Sequence, residues 1–325
     1  MSKSIKRGML LGKFLPPHQG HCYLANFASQ FVDHLSIVVG TLPTEPIPGA
    51  LRYQWMQDLF PKAEVIHLDK VLPQDPSEHP DFWEIWTREL TAILPQLPDV
   101  VFASEPYGHK VAEVLGARFI PVDFGRKAVP TSGTAIRENP FQHWDFIPPA
   151  VRPYFLKRVC LFGPESCGKS TLTQQLADHF QTTAVPEYAR IYLEEFGDEI
   201  NSDKLMDIAR GQAASEDSLA PSAKHYLFCD TDPLLTTVWS QFLTGEVTAE
   251  LQNFAQQRSY DLYLLLRPDV PWIADSVRYL PKERETFFNS CQEALEASNR
   301  PYQVLSGSWG KRLEQAIQAV NEIQT

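Results

Sequence analysis

Two stretches of this chain combine residue types and spacings that could handle phosphate. In the second half, "GPESCGKST" from Gly163 to Thr171 follows the G-x-x-x-x-G-K-[ST] pattern, between a strand-like "VCLF" and a helix-like "LTQQLADHF". Glycines there let successive backbone N–H groups converge on β- and γ-phosphates, and the helix start adds positive potential. Lys169 would bridge phosphates as a catalytic group, and the Ser170 hydroxyl would be offered to Mg²⁺. ATP is therefore expected against Gly163, Glu165, Ser166, Cys167, Gly168, Lys169, Ser170 and Thr171.

In the first half, "GKFLPPHQGH" from Gly12 to His21 places two histidines behind a glycine turn that Pro16 and Pro17 stiffen. The turn lets backbone approach a triphosphate, and His18 and His21, at the start of the following helix, can donate ring N–H bonds to it. Further on, "PTSGTAIRENP" offers Ser132, Gly133 and Thr134 to cap a helix, with Arg137 one turn later to meet β- and γ-phosphates. Such an array suits nucleotidyl transfer, in which a phosphate oxygen attacks the α-phosphorus of ATP and pyrophosphate leaves. That reaction needs charge stabilisation more than covalent chemistry.

The phosphate loop alone fits a kinase, a GTPase or a motor equally, so the acceptor side decides. The next strands end in "PEYAR" and "CDTD", and strand carboxyl ends are where a doubly wound sheet places ligands. Asp230 is expected to hold Mg²⁺. Glu187 or Asp232 would orient or deprotonate an acceptor hydroxyl, with Tyr188 and Arg190 beside them. The proline-punctuated "RPDVPWIADSVRYLPKER" carries Arg267, Trp272, Arg278 and Arg284, as a lid over transferring phosphates would.

The elements that must position these groups follow a strand–helix alternation. "GMLLGKF", "HLSIVVG", "AEVIHLD" and "DVVFASE" read as strands, with helical patterns such as "HCYLANFASQF" between them. The rhythm restarts after the proline-rich "FIPPAVRPYFLKR" with "RVCLFG", "TTAVPEY", "HYLFCD" and "YDLYLLL". The expected architecture is α/β with two domains: a Rossmann-like nucleotidyltransferase sheet over 1–148, a linker over 149–157 and a P-loop kinase sheet over 158–325.

Composition agrees with this class. The 325 residues are 43% hydrophobic and 21% charged, with a net charge of −11, which argues against broad attraction to nucleic acid or anionic membrane. Five scattered cysteines show no metal-ligand spacing, so a reduced cytoplasm is expected. No stretch reads as a signal peptide or approaches the length of a membrane span.

"GKFLPPHQGH" resembles the H-x-G-H signature of nucleotidyltransferases, and "SGTAIR" is similar to their S-x-T-x-x-R motif. Their order, through "SEPYG" and "VDFGRKAVPTSGTAIRENPFQHW" into "GPESCGKSTL", resembles the NadR-type bifunctional proteins. The resemblance implies nicotinamide-nucleotide (NMN) adenylyltransferase joined to ribosylnicotinamide kinase. It implies ATP as co-substrate at both sites, Mg²⁺, and nicotinamide riboside, NMN and NAD as ligands.

On this resemblance Gly12, Lys13, Phe14, His18, His21, Ser132, Thr134 and Arg137 hold ATP, with Arg126 as a further contact. Ser104, Glu105 and Tyr107 of "SEPYG" face NMN, and Arg52 takes its phosphate. Trp83 or Trp86 would stack on the cationic nicotinamide ring, worth about 1–2 kcal/mol when partly desolvated. Ser276 stands where the family pattern has glycine in the lid. The few residues before the first strand leave no room for the helix-turn-helix repressor module of some members, so operator binding is not expected. Homo-oligomerisation stays open. Two rival readings stay open as well: pantetheine-phosphate adenylyltransferase joined to dephospho-coenzyme A kinase, and a non-catalytic nucleotide sensor.

Overall fold

A computed structural model describes residues 6–197, 199–274 and 281–323. The chain divides into two compact units, Met1–Arg152 and Pro153–Thr325. The segment 149–157 contains a short helix, Arg152–Phe155, and the first residue of the strand that follows.

The first unit holds a parallel sheet of five strands: β1 (Arg7–Gly12), β2 (His34–Thr41), β3 (Glu64–Asp69), β4 (Val100–Ala103) and β5 (Arg118–Pro121). Their order is β3-β2-β1-β4-β5, with β1 central. Side chains alternate across β1, so Met9 enters one core with Val38, Leu90 and Val101. Leu10 enters the other with Ile37, Val39 and Phe102. Each such buried side chain contributes about 1.5–3 kcal/mol.

The second unit repeats the plan with β6 (Lys157–Phe162), β7 (Thr183–Val185), β8 (Tyr226–Asp230), β9 (Leu262–Leu266) and β10 (Tyr302–Leu305). Their order is β10-β9-β6-β8-β7, again all parallel. "YLFCD" and "LYLLL" are buried throughout, as a sheet covered on both faces requires. In both units the strand order reverses beside the central strand, opening a crevice at the carboxyl ends. β5 and β10 were not legible as strands, because each is a four-residue edge strand with exposed positions rather than a continuous apolar run.

Candidate functional sites

Over the strand ends of the first unit lies a cavity of about 780 Å³. Gly12, Lys13, Phe14, His18 and His21 line it from the first turn, and Arg126, Ser132, Gly133, Thr134 and Arg137 from the far side. Trp83, Trp86, Ser104, Glu105 and Tyr107 complete the group that the sequence pointed to.

His18 is the N-cap of the helix Gln19–Phe31. Its Nδ1 accepts the Gly20 N–H at 3.1 Å, and His21 Nδ1 accepts the His18 N–H at 3.2 Å. The two imidazoles thus form a reciprocal cap, stacked with centroids 3.7 Å apart. An Nδ1 that accepts carries no proton, so the only ring donor is Nε2–H. Burial, then the Arg126 charge, holds His18 down at about 4. Burial, His18 and Arg126 hold His21 well below its ordinary value. Both rings are therefore neutral donors at physiological pH.

The opposite wall is fixed against the same turn. Ser132 Oγ accepts the Ala135 N–H at 3.1 Å, and Arg137 donates to the Leu15 carbonyl and, at 3.2 Å, to Thr134 Oγ1. Only glycine fits at Gly133, because an added Cβ would lie 2.3 Å from the Leu15 oxygen. The Asp123 carboxylate accepts the N–H groups of Ala128, Val129 and Lys127, which hold its pKa down. That clasp shapes the loop from which Arg126 reaches Glu105 at 3.1 Å.

Trp83 and Trp86 both line the cavity while packing on the core beside β3 and β4, and Trp86 Nε1 donates to the Pro73 carbonyl at 2.9 Å. Arg52 requires a correction. It is fully buried, its guanidinium donating to the Lys13 and Ile47 carbonyls and paired with Glu45, and it does not line the cavity. It braces the turn instead of meeting a phosphate. Thr41, Lys70, Asp75 and Thr131 line the cavity without having been singled out. No motif marks them, since they reach it from strand ends and loops far apart in sequence.

The second unit has its own cavity, about 170 Å³, lined by Glu165, Ser166, Gly168, Lys169, Ser170 and Thr171 on one side. Glu187, Arg190, Gln212, Thr236 and Trp239 line the other. Gly163 and Gly168 take φ of +132° and +91°, and Ser166 +54°, giving the loop its curl. Lys169 Nζ is buried and rests on the Gly163 and Pro164 carbonyls at 3.1 and 2.8 Å. Gly163 and Cys167 do not line the cavity; Cys167 donates its thiol to the Pro164 carbonyl at 2.9 Å.

Asp230 is almost wholly buried, and its Oδ1 finds no hydrogen-bond partner. Burial, then the Glu187 charge, pushes its carboxyl up to about 7, opposed by Lys169 and by a hydrogen bond from Ser170. An orphaned carboxylate oxygen beside a hydroxyl is a hard-oxygen pair that fits Mg²⁺, which takes one or two protein ligands and completes its shell with phosphates and water. No cluster of three or more acidic, histidine or cysteine side chains that could hold a metal occurs among the described residues.

Asp232 is not an acceptor-side carboxylate. Its Oδ1 caps the helix Pro233–Thr244 by accepting the Leu235 N–H at 2.9 Å, and its Oδ2 accepts the Tyr263 hydroxyl at 2.8 Å. Tyr188 is also structural: its ring covers Gly211 and its N–H bonds Gln212 Oε1 at 2.9 Å. Trp272, Arg267 and Arg284 do not line the cavity. Arg284 lies 5.6 Å from the Trp272 ring and donates to the Val270 and Ser166 carbonyls, and Arg267 lies over Phe288. Arg278 and Ser276 lie outside the described residues.

Two parallel α/β units, the second built on a phosphate loop and each with a cavity at its strand ends, define a tandem α/β protein of the nucleotide-handling class. A family model described as an AAA domain matches residues 158–312. The trifunctional NAD biosynthesis/regulator protein NadR of Escherichia coli (strain K12) is 31% identical over 97% of this chain and 83% of its own length. The chain belongs to the NadR family. A crystal structure of a NadR protein in complex with NAD and AMP-PNP matches with a TM-score of 0.76 at 25% identity, over 98% of this chain and 96% of that one. A NadR protein in complex with NR matches with a TM-score of 0.78 at 24% identity, over 99% and 98%. No helix among the described residues is long and apolar enough to cross a membrane.

Proposed function

We propose that this chain makes NAD in two ATP-dependent steps. The second unit phosphorylates nicotinamide riboside to NMN, and the first adenylylates NMN, releasing pyrophosphate. The observation that carries the reading is the pair of neutral imidazoles in one cavity, with a phosphate loop and the Glu187 side chain lining another. Crystal structures of NadR protein hold NR in one case and NAD with AMP-PNP in the other, which supports the same ligands here.

In the first cavity, the NMN phosphate oxygen attacks the α-phosphorus of ATP and the bond to the β-phosphate oxygen breaks. Nε2–H of His18 and of His21, with Arg137, would hold the charge that grows on the departing pyrophosphate; no proton has to move. Donors preorganised in a partly buried site are worth about 3–4 kcal/mol each when removed. Trp83 and Trp86 flank the place for the nicotinamide ring, and Ser104, Glu105 and Tyr107 border it.

In the second cavity the riboside 5′-hydroxyl attacks the γ-phosphorus, the bond to the β-phosphate oxygen breaks, and the hydroxyl proton passes to Glu187. Glu187 takes this role because Asp232 is spent as a helix cap. Mg²⁺, which Ser170 and Asp230 would hold, supplies neutralisation of phosphate charge. All five cysteines are unpaired thiols, in keeping with a reducing cytoplasm.

The test is incubation of the full chain with ATP, Mg²⁺ and nicotinamide riboside, with NMN and NAD separated by chromatography. NMN should appear first and NAD after it. Turnover of pantetheine phosphate in a parallel reaction, without NMN or NAD in the first, would overturn the assignment.

A further inference from the structure

The acceptor side of the second unit is set by its topology. β6 is central, and β8 and β7 lie to one side of it with Asp230 and Glu187 at their carboxyl ends. The cavity with Glu187, Arg190, Thr236 and Trp239 opens there. A triphosphate lying across the loop with its γ end at Lys169 and Asp230 must therefore bring its nucleoside out on the other side, over β9 and β10.

On that side stands Trp309, the first residue of the helix Trp309–Glu322 that follows β10. Its six-membered ring covers Gly168 of the phosphate loop: a Cβ there would fall 2.2 Å from Cζ3 and 2.8 Å from Cη2. The indole is nevertheless 48% exposed. It is also held rigidly. Arg312 lies 5.5 Å from the ring centroid and is itself buried. It donates to the Cys167 carbonyl of the loop and to the Arg267 carbonyl, both at 2.7 Å, to the Gly307 carbonyl at 3.0 Å, and pairs with Asp269. One arginine thus ties the ends of β9 and β10 to the loop and backs the indole. The distance from phosphate cradle to aromatic plate is fixed before any ligand arrives, and preorganisation of this kind lowers the entropy lost on binding.

We propose that Trp309 is the stacking platform for the base of the nucleotide held by the phosphate loop, a reading that rests on ATP being the ligand of the second unit. Stacking accepts any planar base. Trp309 therefore distinguishes a nucleotide from bare polyphosphate, not adenine from guanine.

Binding to the full chain is measured with MgADP and with magnesium tripolyphosphate, the phosphate-loop component being the one that Lys169→Ala abolishes. Trp309→Ala should weaken ADP at that site about tenfold, as loss of one base–aromatic stack does, while tripolyphosphate affinity stays within about twofold. Trp309→Phe should restore most of the loss. The emission that distinguishes wild type from Trp309→Phe should be quenched by ADP and left unchanged by tripolyphosphate. Equal weakening of both ligands would show that Trp309 acts only by covering Gly168, and unmoved emission would place the base elsewhere; either overturns the proposal. The titration reads nucleotide binding, so it returns the same answer if the acceptor is not nicotinamide riboside, an outcome that would sink the proposed reaction alone.

Discussion

In the first unit the donors at the helix start are uncharged. Two imidazoles are held neutral by burial and by the Arg126 charge, in a cavity of about 780 Å³ that Arg126 and Arg137 also line. In the second, a buried lysine lines a cavity of about 170 Å³, and the buried Asp230 carboxyl at the end of β8, which does not itself line that cavity, has one oxygen without a partner. On the proposed function both arrangements receive a polyanion, but the first is electrostatically at rest when empty and the second is not. A buried polar oxygen left without a partner costs free energy until something reaches it. On the proposed function, the first cavity would need shape and donors, whereas the second would need a cation as well as a nucleotide.

The largest expected effects divide the two cavities. Lys169→Ala should cut riboside phosphorylation about 100-fold or more, on the order of 3 kcal/mol of lost charge stabilisation, and leave adenylyl transfer nearly unchanged. His21→Ala should do the reverse. Both rates are read on one sample by chromatography of NMN and NAD; a fall of both in either folded variant would break the division into two sites.

Asp230→Asn sharpens the contrast in cation demand. The amide keeps the volume and a neutral oxygen but loses the charge, so phosphorylation should fall about 30-fold, with a higher Mg²⁺ concentration needed for half-maximal rate. The same substitution should leave the Mg²⁺ dependence of NAD formation from supplied NMN unmoved. An unchanged Mg²⁺ curve for phosphorylation would remove Asp230 from the metal site.

How much of this was legible in the sequence depended on whether a residue's partner was local. The two capping histidines, the phosphate loop and the strands β1–β4 and β6–β9 follow rules of spacing that act within a turn or a strand. Asp232 follows one such rule too: "TDPLL" is a helix start with proline in its first turn, and the carboxylate is the cap. The sequence pattern points Arg52 and Tyr188 to ligands and gives Arg312 no role, and the structure gives all three structural ones. Their partners, Lys13 and Glu45, Gly211, and Cys167 with Arg267, are joined to them only by the tertiary fold. A charged residue in an amphipathic pattern reads as solvated, and a fully buried arginine bonded to three carbonyls violates that pattern without any sequence signal.

The smallest effect concerns acid, and it separates the units by sign. His18 has a folded value of about 4 against about 6.5 in the unfolded chain. Below pH 6.5 the unfolded chain binds a proton that the folded one refuses, so stability of the first unit is lost as pH falls from 6.5 towards 4. His21 acts in the same direction. The loss should be on the order of 2–3 kcal/mol across that window. Asp230 has the opposite sign: its folded value is raised to about 7, so its contribution is lost as pH rises. Urea midpoints of each unit, read by pulse proteolysis with mass spectrometry of its peptides at pH 7.5, 6.5 and 5.5, resolve the two. His18→Asn keeps a capping side chain that does not titrate, so its first unit should lose distinctly less stability between pH 6.5 and 5.5 than the wild type. Equal losses in the two proteins would mean that the imidazole is charged in the folded state, and the first cavity would then resemble the second.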